Sequence, residues 1–192
     1  MQSPAARVIC DRMTAIDAGR RSSNPRDRKR SVNGAPTTKT QSFMKCTCYC
    51  GATCFQADGR PLFRILCHCT ICQRFNSAPF ADVVVFRAED VSLPPPNTVS
   101  FETYKPPPNV QRGKCATCNQ PAIEVFAAPV LPKLVMVPRK TFASDTELPV
   151  PIAHIFYDKR VSDAKDTYPK HRGFLRSQLA FLNYLRSARR RA

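Results

Sequence analysis

The 192-residue chain has no tryptophan, only six glycines, and 14 acidic residues against 30 lysines and arginines. No apolar run approaches the ~18–20 residues that cross a bilayer, which excludes a spanning helix from expectation. The opening, MQSPAARVICDRMTAIDAGRRSSNPRDRKR, lacks an apolar core flanked by a cleavage site, which argues against a secretory signal. It is rich in Arg and Ser, as organellar transit peptides are, but Asp11, Asp17 and Asp27 count against that reading because such peptides are poor in acids. No internal repeat is visible. Eighteen prolines argue against long uninterrupted helices and for short strands joined by stiff loops.

The net charge of +16 resembles a nucleic-acid signature until its distribution is considered. Residues 1–45 carry ten Lys/Arg against three acids, and residues 185–192 carry four Arg and no acid, so the two ends hold +11. Solvated tails have this texture, with contact to polyanions as the alternative. Residues 1–43 have little periodicity and are rich in Arg, Ser, Pro, Asn and Thr, which predicts a disordered basic extension.

From Met44 the texture changes to short apolar runs, predicting strands over 53–57, 64–68, 80–87, 98–104, 122–126, 134–137 and 152–157. Breakers such as Asp58-Gly59-Arg60-Pro61 and two triple prolines separate them, and no helical stretch is expected between them. The fold class is therefore all-β over 44–173. Residues 174–192 differ: Phe174, Leu175, Leu179, Phe181, Leu182 and Leu185 fall on one helical face, and RSARRRA follows with cations suited to a helix C-terminus. This predicts a C-terminal amphipathic helix packed on the β domain or on a second subunit, with a membrane-surface helix as the alternative.

Ten cysteines dominate the chemistry. In a chain of this length without a signal peptide they fit metal binding in a reducing compartment, and a cytoplasmic location, better than a disulfide framework. Cys48 and Cys50 sit in C-Y-C-G-A, where Gly51 permits a tight turn; Cys115 and Cys118 form C-A-T-C. One ion held by all four would staple the start of the β domain to its middle, as a closed structural site. Cys67, Cys69 and Cys72 form C-H-C-x-x-C. Cys67 and Cys69 are expected on one side of the strand over 64–68 and its continuation, with Cys72 returning from a turn at Thr70-Ile71. Three thiolates leave Zn²⁺ a fourth position, where a bound thiol is held as thiolate or a carbonyl is polarised. His68 is a tempting fourth ligand, but strand alternation turns it to the other side. His154 and His171 read as surface or hydrogen-bonded residues, Cys54 as a core thiol, and Cys10 as incidental. Cys46 extends the first cluster and competes for its metal.

The order C-x-C-G-A, strand, C-H-C-x-x-C, the strand at 78–86, C-x-x-C, and Pro151-Ile152-Ala153-His154-Ile155-Phe156 resembles the glutathione-dependent formaldehyde-activating enzyme family, which also contains centromere protein V. The resemblance covers about 44–173. It implies a β-tent fold with two zinc ions, a structural one on Cys48, Cys50, Cys115 and Cys118 and a catalytic one on Cys67, Cys69 and Cys72. It also implies the condensation of glutathione with formaldehyde, classed with the carbon–sulfur lyases by the reverse reaction. The expected partners are thus a small thiol such as glutathione and an aldehyde. A noncatalytic zinc module that contacts nucleic acid or chromatin through its basic ends is the alternative. Two departures are informative. Asn119 stands where the family has Gly after its last C-x-x-C, and Asn tolerates the left-handed backbone such a turn requires. Gln73 stands where the family has Arg, with Arg74 next to it as the nearest cation for the carboxylates of a glutathione-like ligand.

Overall fold

A computed structural model describes residues 43–107 and 109–190. Most of the basic N-terminal extension, Cys10 included, and the last two residues lie outside that range. Among the described residues, ten strands form two sheets. The small sheet is antiparallel, β1 (Met44–Thr47), β2 (Cys54–Ala57) and β5 (Val91–Ser92), in the order β1-β2-β5. The large one contains β3 (Phe63–Cys67), β4 (Ala81–Arg87), β6 (Val99–Thr103), β7 (Val110–Cys115), β8 (Pro121–Phe126), β9 (Leu134–Pro138) and β10 (Pro151–Ile155). Its order is β10-β3-β4-β9-β8-β7-β6, antiparallel except for the parallel pair β10–β3.

Strand alternation explains why the large sheet is apolar on both faces. In β4, Val84 and Phe86 point to one side, where they join Phe55, Ala57, Ile123, Val135 and Phe142 in a core beneath the small sheet. Val83 and Val85 point to the other, joining Phe63, Ile65, Cys67, Cys72 and Ile155. Two helices cover this second face: α1 (Thr70–Asn76) and α2 (Phe174–Arg189).

The predicted strands are all present, with ends shifted by a residue or two. Three further strands, β1, β5 and β7, and the helix α1 were not expected. Cys72 therefore lies within a helix and not beyond a simple turn. The apolar face assigned to α2 is also corrected. Its buried residues are Ser177, Ala180 and Leu185, with Phe181, Tyr184 and Ala188 packed beside them. Phe174, Leu175 and Leu179 are exposed. The rotation has a polar cause: the Ser177 hydroxyl accepts a hydrogen bond from the Phe156 amide at 2.8 Å, which fixes that side of the helix against the end of β10. No helix among the described residues is long and apolar enough to cross a membrane.

This packing separates two leucines on one helix. Leu185, 4% exposed, fills the core, whereas Leu179 is 61% exposed. Leu185→Ala is expected to lower the unfolding free energy by about 2–3 kcal/mol, and Leu179→Ala by no more than ~0.5 kcal/mol. Urea unfolding of the two variants measures both.

Candidate functional site

Two tight turns build the first cysteine group. After β1 the chain reverses at Gly51, whose φ is +79° and whose amide donates to the Cys48 carbonyl at 2.9 Å. At the end of β7 it reverses again, with the Asn119 amide donating to the Cys115 carbonyl at 2.9 Å. Asn119 has φ +55°, so the asparagine does adopt the left-handed conformation. The turns bring Cys48, Cys50, Cys115 and Cys118 together with every Sγ within 4.8 Å of the others. Closest separations are 3.4 Å (Cys48–Cys50), 3.5 Å (Cys48–Cys115) and 3.6 Å (Cys50–Cys115). A tetrahedron with metal–sulfur bonds of ~2.3 Å has edges of about 3.8 Å, so this donor set fits one thiophilic ion. The Thr53 amide donates to the Cys48 sulfur at 3.2 Å, as thiolate ligands commonly require. At Cys115, burial pushes the thiol up, but hydrogen bonds from Thr53 and from the amides of Cys118 and Thr117 outweigh it and bring it to about 6.

Cys46 does not compete for this site. It is fully buried in the core beneath the small sheet, and burial drives its thiol well above the ordinary range. Cys54 is buried in β2, in line with its reading as a core residue.

The second group straddles the junction of β3 and α1. Cys67 ends β3, Cys69 is the N-cap of α1, and Cys72 lies one turn in; the three sulfurs all lie within 4.8 Å of one another. The Cys72 amide donates to the Cys69 sulfur at 3.3 Å, so the cap is a thiol where serine or aspartate is usual. Hydrogen bonds from the Cys67 and Cys72 thiols, that amide and the charge of Arg112 hold Cys69 far below the ordinary thiol range. Cys67 and Cys72 are pushed up correspondingly, by the neighbouring sulfurs and by burial. Among the described residues, no fourth Cys, His or carboxylate joins the three.

His68 turns to the opposite side, as strand alternation predicts. It is 2% exposed, and its Nε2 lies 2.8 Å from His154 Nδ1. His154 is also buried, so of its two expected readings the hydrogen-bonded one holds. His171, half-buried, pairs with the Tyr184 hydroxyl at 3.0 Å. Gln73 clamps the backbone, its amide donating to the carbonyls of His68 and Lys159 at 2.7 Å each. Arg74 is exposed on α1 with its guanidinium 5.0 Å from the Tyr104 ring centre.

Sequence reasoning missed Arg112 and Glu124. They sit directly opposite each other on β7 and β8 and are almost fully buried. Arg112 Nε lies 2.9 Å from Glu124 Oε2, an ion-pair distance in which the N–H does not point along the contact. The guanidinium also reaches the Cys72 sulfur, and its charge acts on Cys69. Phe75 and Tyr104 flank it, with ring centres 6.0 and 5.7 Å away. Burial pushes the Glu124 carboxyl up to about 7, against the pull of Arg112 and with the help of the nearby Cys69 thiolate. The sequence offers only a Glu inside the predicted strand 122–126, since Arg112 falls in a segment it does not read as a strand.

A model of the glutathione-dependent formaldehyde-activating enzyme family matches residues 43–159. This span contains both cysteine groups, the Arg112–Glu124 pair and the His68–His154 contact. Among curated proteins none is significantly similar in sequence. A crystal structure of a Rhodobacter sphaeroides protein, a structural genomics target, aligns with a TM-score of 0.44 at 19% identity, over 55% of this chain and 98% of that one.

Breaking the buried pair separates charge pairing from mere bulk. Arg112→Leu strands a buried carboxylate and is expected to cost about 3–5 kcal/mol. The double change Arg112→Leu/Glu124→Leu should recover most of that loss, as a urea-melt double-mutant cycle would measure.

Proposed function

The chain belongs to the glutathione-dependent formaldehyde-activating enzyme family, and from that premise we propose that it joins a small thiol such as glutathione to an aldehyde, or parts them, at Cys67, Cys69 and Cys72. The observation that carries this reading is the incompleteness of that cluster. Three sulfurs converge, and among the described residues no fourth donor completes a tetrahedron. The other group has four and is closed. In this reading each group holds one Zn²⁺, structural at Cys48, Cys50, Cys115 and Cys118 and catalytic at the open cluster. A zinc ion held by three thiolates supplies Lewis acidity and keeps an incoming thiol in its thiolate form.

The bond made is carbon–sulfur, between the thiol sulfur and the carbonyl carbon, and the thiol proton ends on the carbonyl oxygen. The reverse breaks the same bond and returns the proton, which is the lyase direction. The protein's own residues prepare the place. Two thiols, a backbone amide and a buried guanidinium all favour the charged form of Cys69. Arg112 lies against the sulfurs from β7 and offsets the negative charge that three thiolates accumulate, and Glu124 fixes the guanidinium there. Gln73 ties the His68 carbonyl to the loop at Lys159, which holds the β3–α1 junction in shape. Arg74, exposed on α1 without an acidic partner among the described residues, is placed to meet a carboxylate of a glutathione-like thiol.

Cys69→Ser tests the reading. Adduct formation from glutathione and ¹³C-formaldehyde, followed by NMR, should fall by at least about a hundredfold. Metal content by native mass spectrometry should drop from two ions per chain to one with the fold retained. Undiminished turnover in this variant would sink the mechanism.

A further inference from the structure

The helix α2 has a second face that the fold does not use. It lies outside the span matched by the family model, which ends at residue 159. Ser177, Ala180, Phe181, Tyr184, Leu185 and Ala188 turn inward. At roughly 100° per residue, Leu175, Leu179, Leu182, Arg186 and Arg190 fall on the opposite side, within about 80° of one another. Leu175 and Leu179 are 73% and 61% exposed, and Phe174, beside them in the first turn, is 60% exposed.

The folded domain presents these side chains outward, because α2 is held by its inner face. The Ser177 hydroxyl meets the Phe156 amide, and the Tyr184 hydroxyl meets His171. Charge then selects the occupant. From 167 to 192 the sequence has six arginines, one lysine and no acid. Arg176, Arg186, Arg189 and Arg190 are exposed on α2, and no ion pair among the described residues includes them. A second copy of the helix would set these arginines against their own kind, with no carboxylate on α2 to answer them. A nucleic acid would answer the arginines and leave the leucines in water. An anionic bilayer answers both: headgroup phosphates and carboxylates take the guanidinium groups, and the acyl boundary takes the apolar side chains.

We propose that the outer face of α2 docks the folded domain on an anionic membrane surface, with Phe174, Leu175, Leu179 and Leu182 entering the acyl boundary. The leucines occupy the first half of this face and Arg186 and Arg190 the second. The helix start therefore sits deeper than its end, where the arginines reach the headgroups through their aliphatic stems. With 16 residues and several arginines, α2 is shorter and more polar than the ~20 apolar residues of a span, so the attachment is interfacial and reversible. The face of the large sheet that α2 covers also carries Cys67 and Cys72. Docking thus turns the side of the domain that bears the open thiol cluster toward the lipid.

The test uses the full-length protein and two vesicle populations, phosphatidylcholine alone and phosphatidylcholine mixed with phosphatidylserine, read by co-sedimentation. Binding is expected to the mixed vesicles. Raising the ionic strength from about 0.1 M to about 1 M should remove most of it, as the screening length falls from ~10 Å to ~3 Å. Leu175→Gln/Leu179→Gln should lower the partition coefficient by at least about tenfold, and so should Arg176→Gln/Arg186→Gln. Leu93→Gln, at an exposed leucine just beyond β5, should leave it unchanged. Because the chain has no tryptophan, Leu179→Trp supplies a single indole, whose emission should shift to the blue on the mixed vesicles and be quenched by brominated acyl chains. Vesicle binding that survives the double leucine change belongs to the basic extension and overturns the proposal, as does an indole that stays in water or equal binding to both vesicle types. A solution dimer that dissociates in the double leucine variant, or duplex DNA binding without vesicle binding, would overturn it by assigning the face to another occupant.

Discussion

Seven thiols gathered into two groups impose the constraint on which the rest of the structure depends. Two unit charges 3.5 Å apart, the Cys48–Cys115 spacing, repel by about 5 kcal/mol at an effective dielectric of about 20. A thiol hydrogen bond returns far less, ~1 kcal/mol. Such sulfurs therefore stay largely protonated or share a cation. Metal affinity becomes folding free energy under these conditions, because the unfolded chain has no comparable site. A cation shared by the four-thiol group would couple β1 to the end of β7, 67 residues further along the chain. The three-thiol group is shaped differently. Its charge is balanced from the side by Arg112, and Arg112 is held by a glutamate that is more buried than itself.

The large sheet makes this division workable. Because it is covered on both faces, side chains of alternating parity serve different cores, and the thiol cluster belongs to the face that carries α1 and α2. Glu124 lies opposite Met136, and Met136 opposite Val85, so the buried ion pair points to the same face as the cluster. A charged pair is tolerated there because the opposite charges lie 2.9 Å apart and because aromatic rings replace water around the guanidinium.

Much of this was legible in the sequence, for reasons that also explain what was not. The predicted strands are apolar runs of β-formers, and burial on a covered sheet demands that texture. β7, VQRGKC, reads as polar because its inward residues are an arginine and a glycine, and the glutamate that makes the arginine intelligible is twelve residues away. The helix α1 is seven residues long and opens on a cysteine, so neither its periodicity nor its cap gave a signal. In α2 the apolar residues outnumber the places that need them, and a serine hydroxyl decided the rotation. Cysteine spacing, by contrast, marked both groups, because ligand convergence over one to three residues is a local property. The His68–His154 contact spans 86 residues and had no local sign at all.

At the end of β3 two side-chain groups are set by consecutive residues. Cys67 and His68 are consecutive residues, yet one belongs to the thiol cluster and the other to the imidazole pair on the opposite side. Side-chain direction alternates along a strand, so a one-residue slip of β3 would exchange them. The parallel neighbour β10 prevents this. His154 stands opposite Leu66 and Ile155 opposite Cys67, and the His68 amide donates to the Ile155 carbonyl at 3.0 Å. An irregularity between Pro151 and His154 brings β10 into that alignment after a different register at its start. The His154 amide is bonded in turn to the Pro169 carbonyl, and its carbonyl to the His171 amide, which holds the segment bearing Asp166 beside the pair. The two groups are therefore set by one register: whatever fixes β10 against β3 fixes the distance between the open thiol cluster and the imidazole pair.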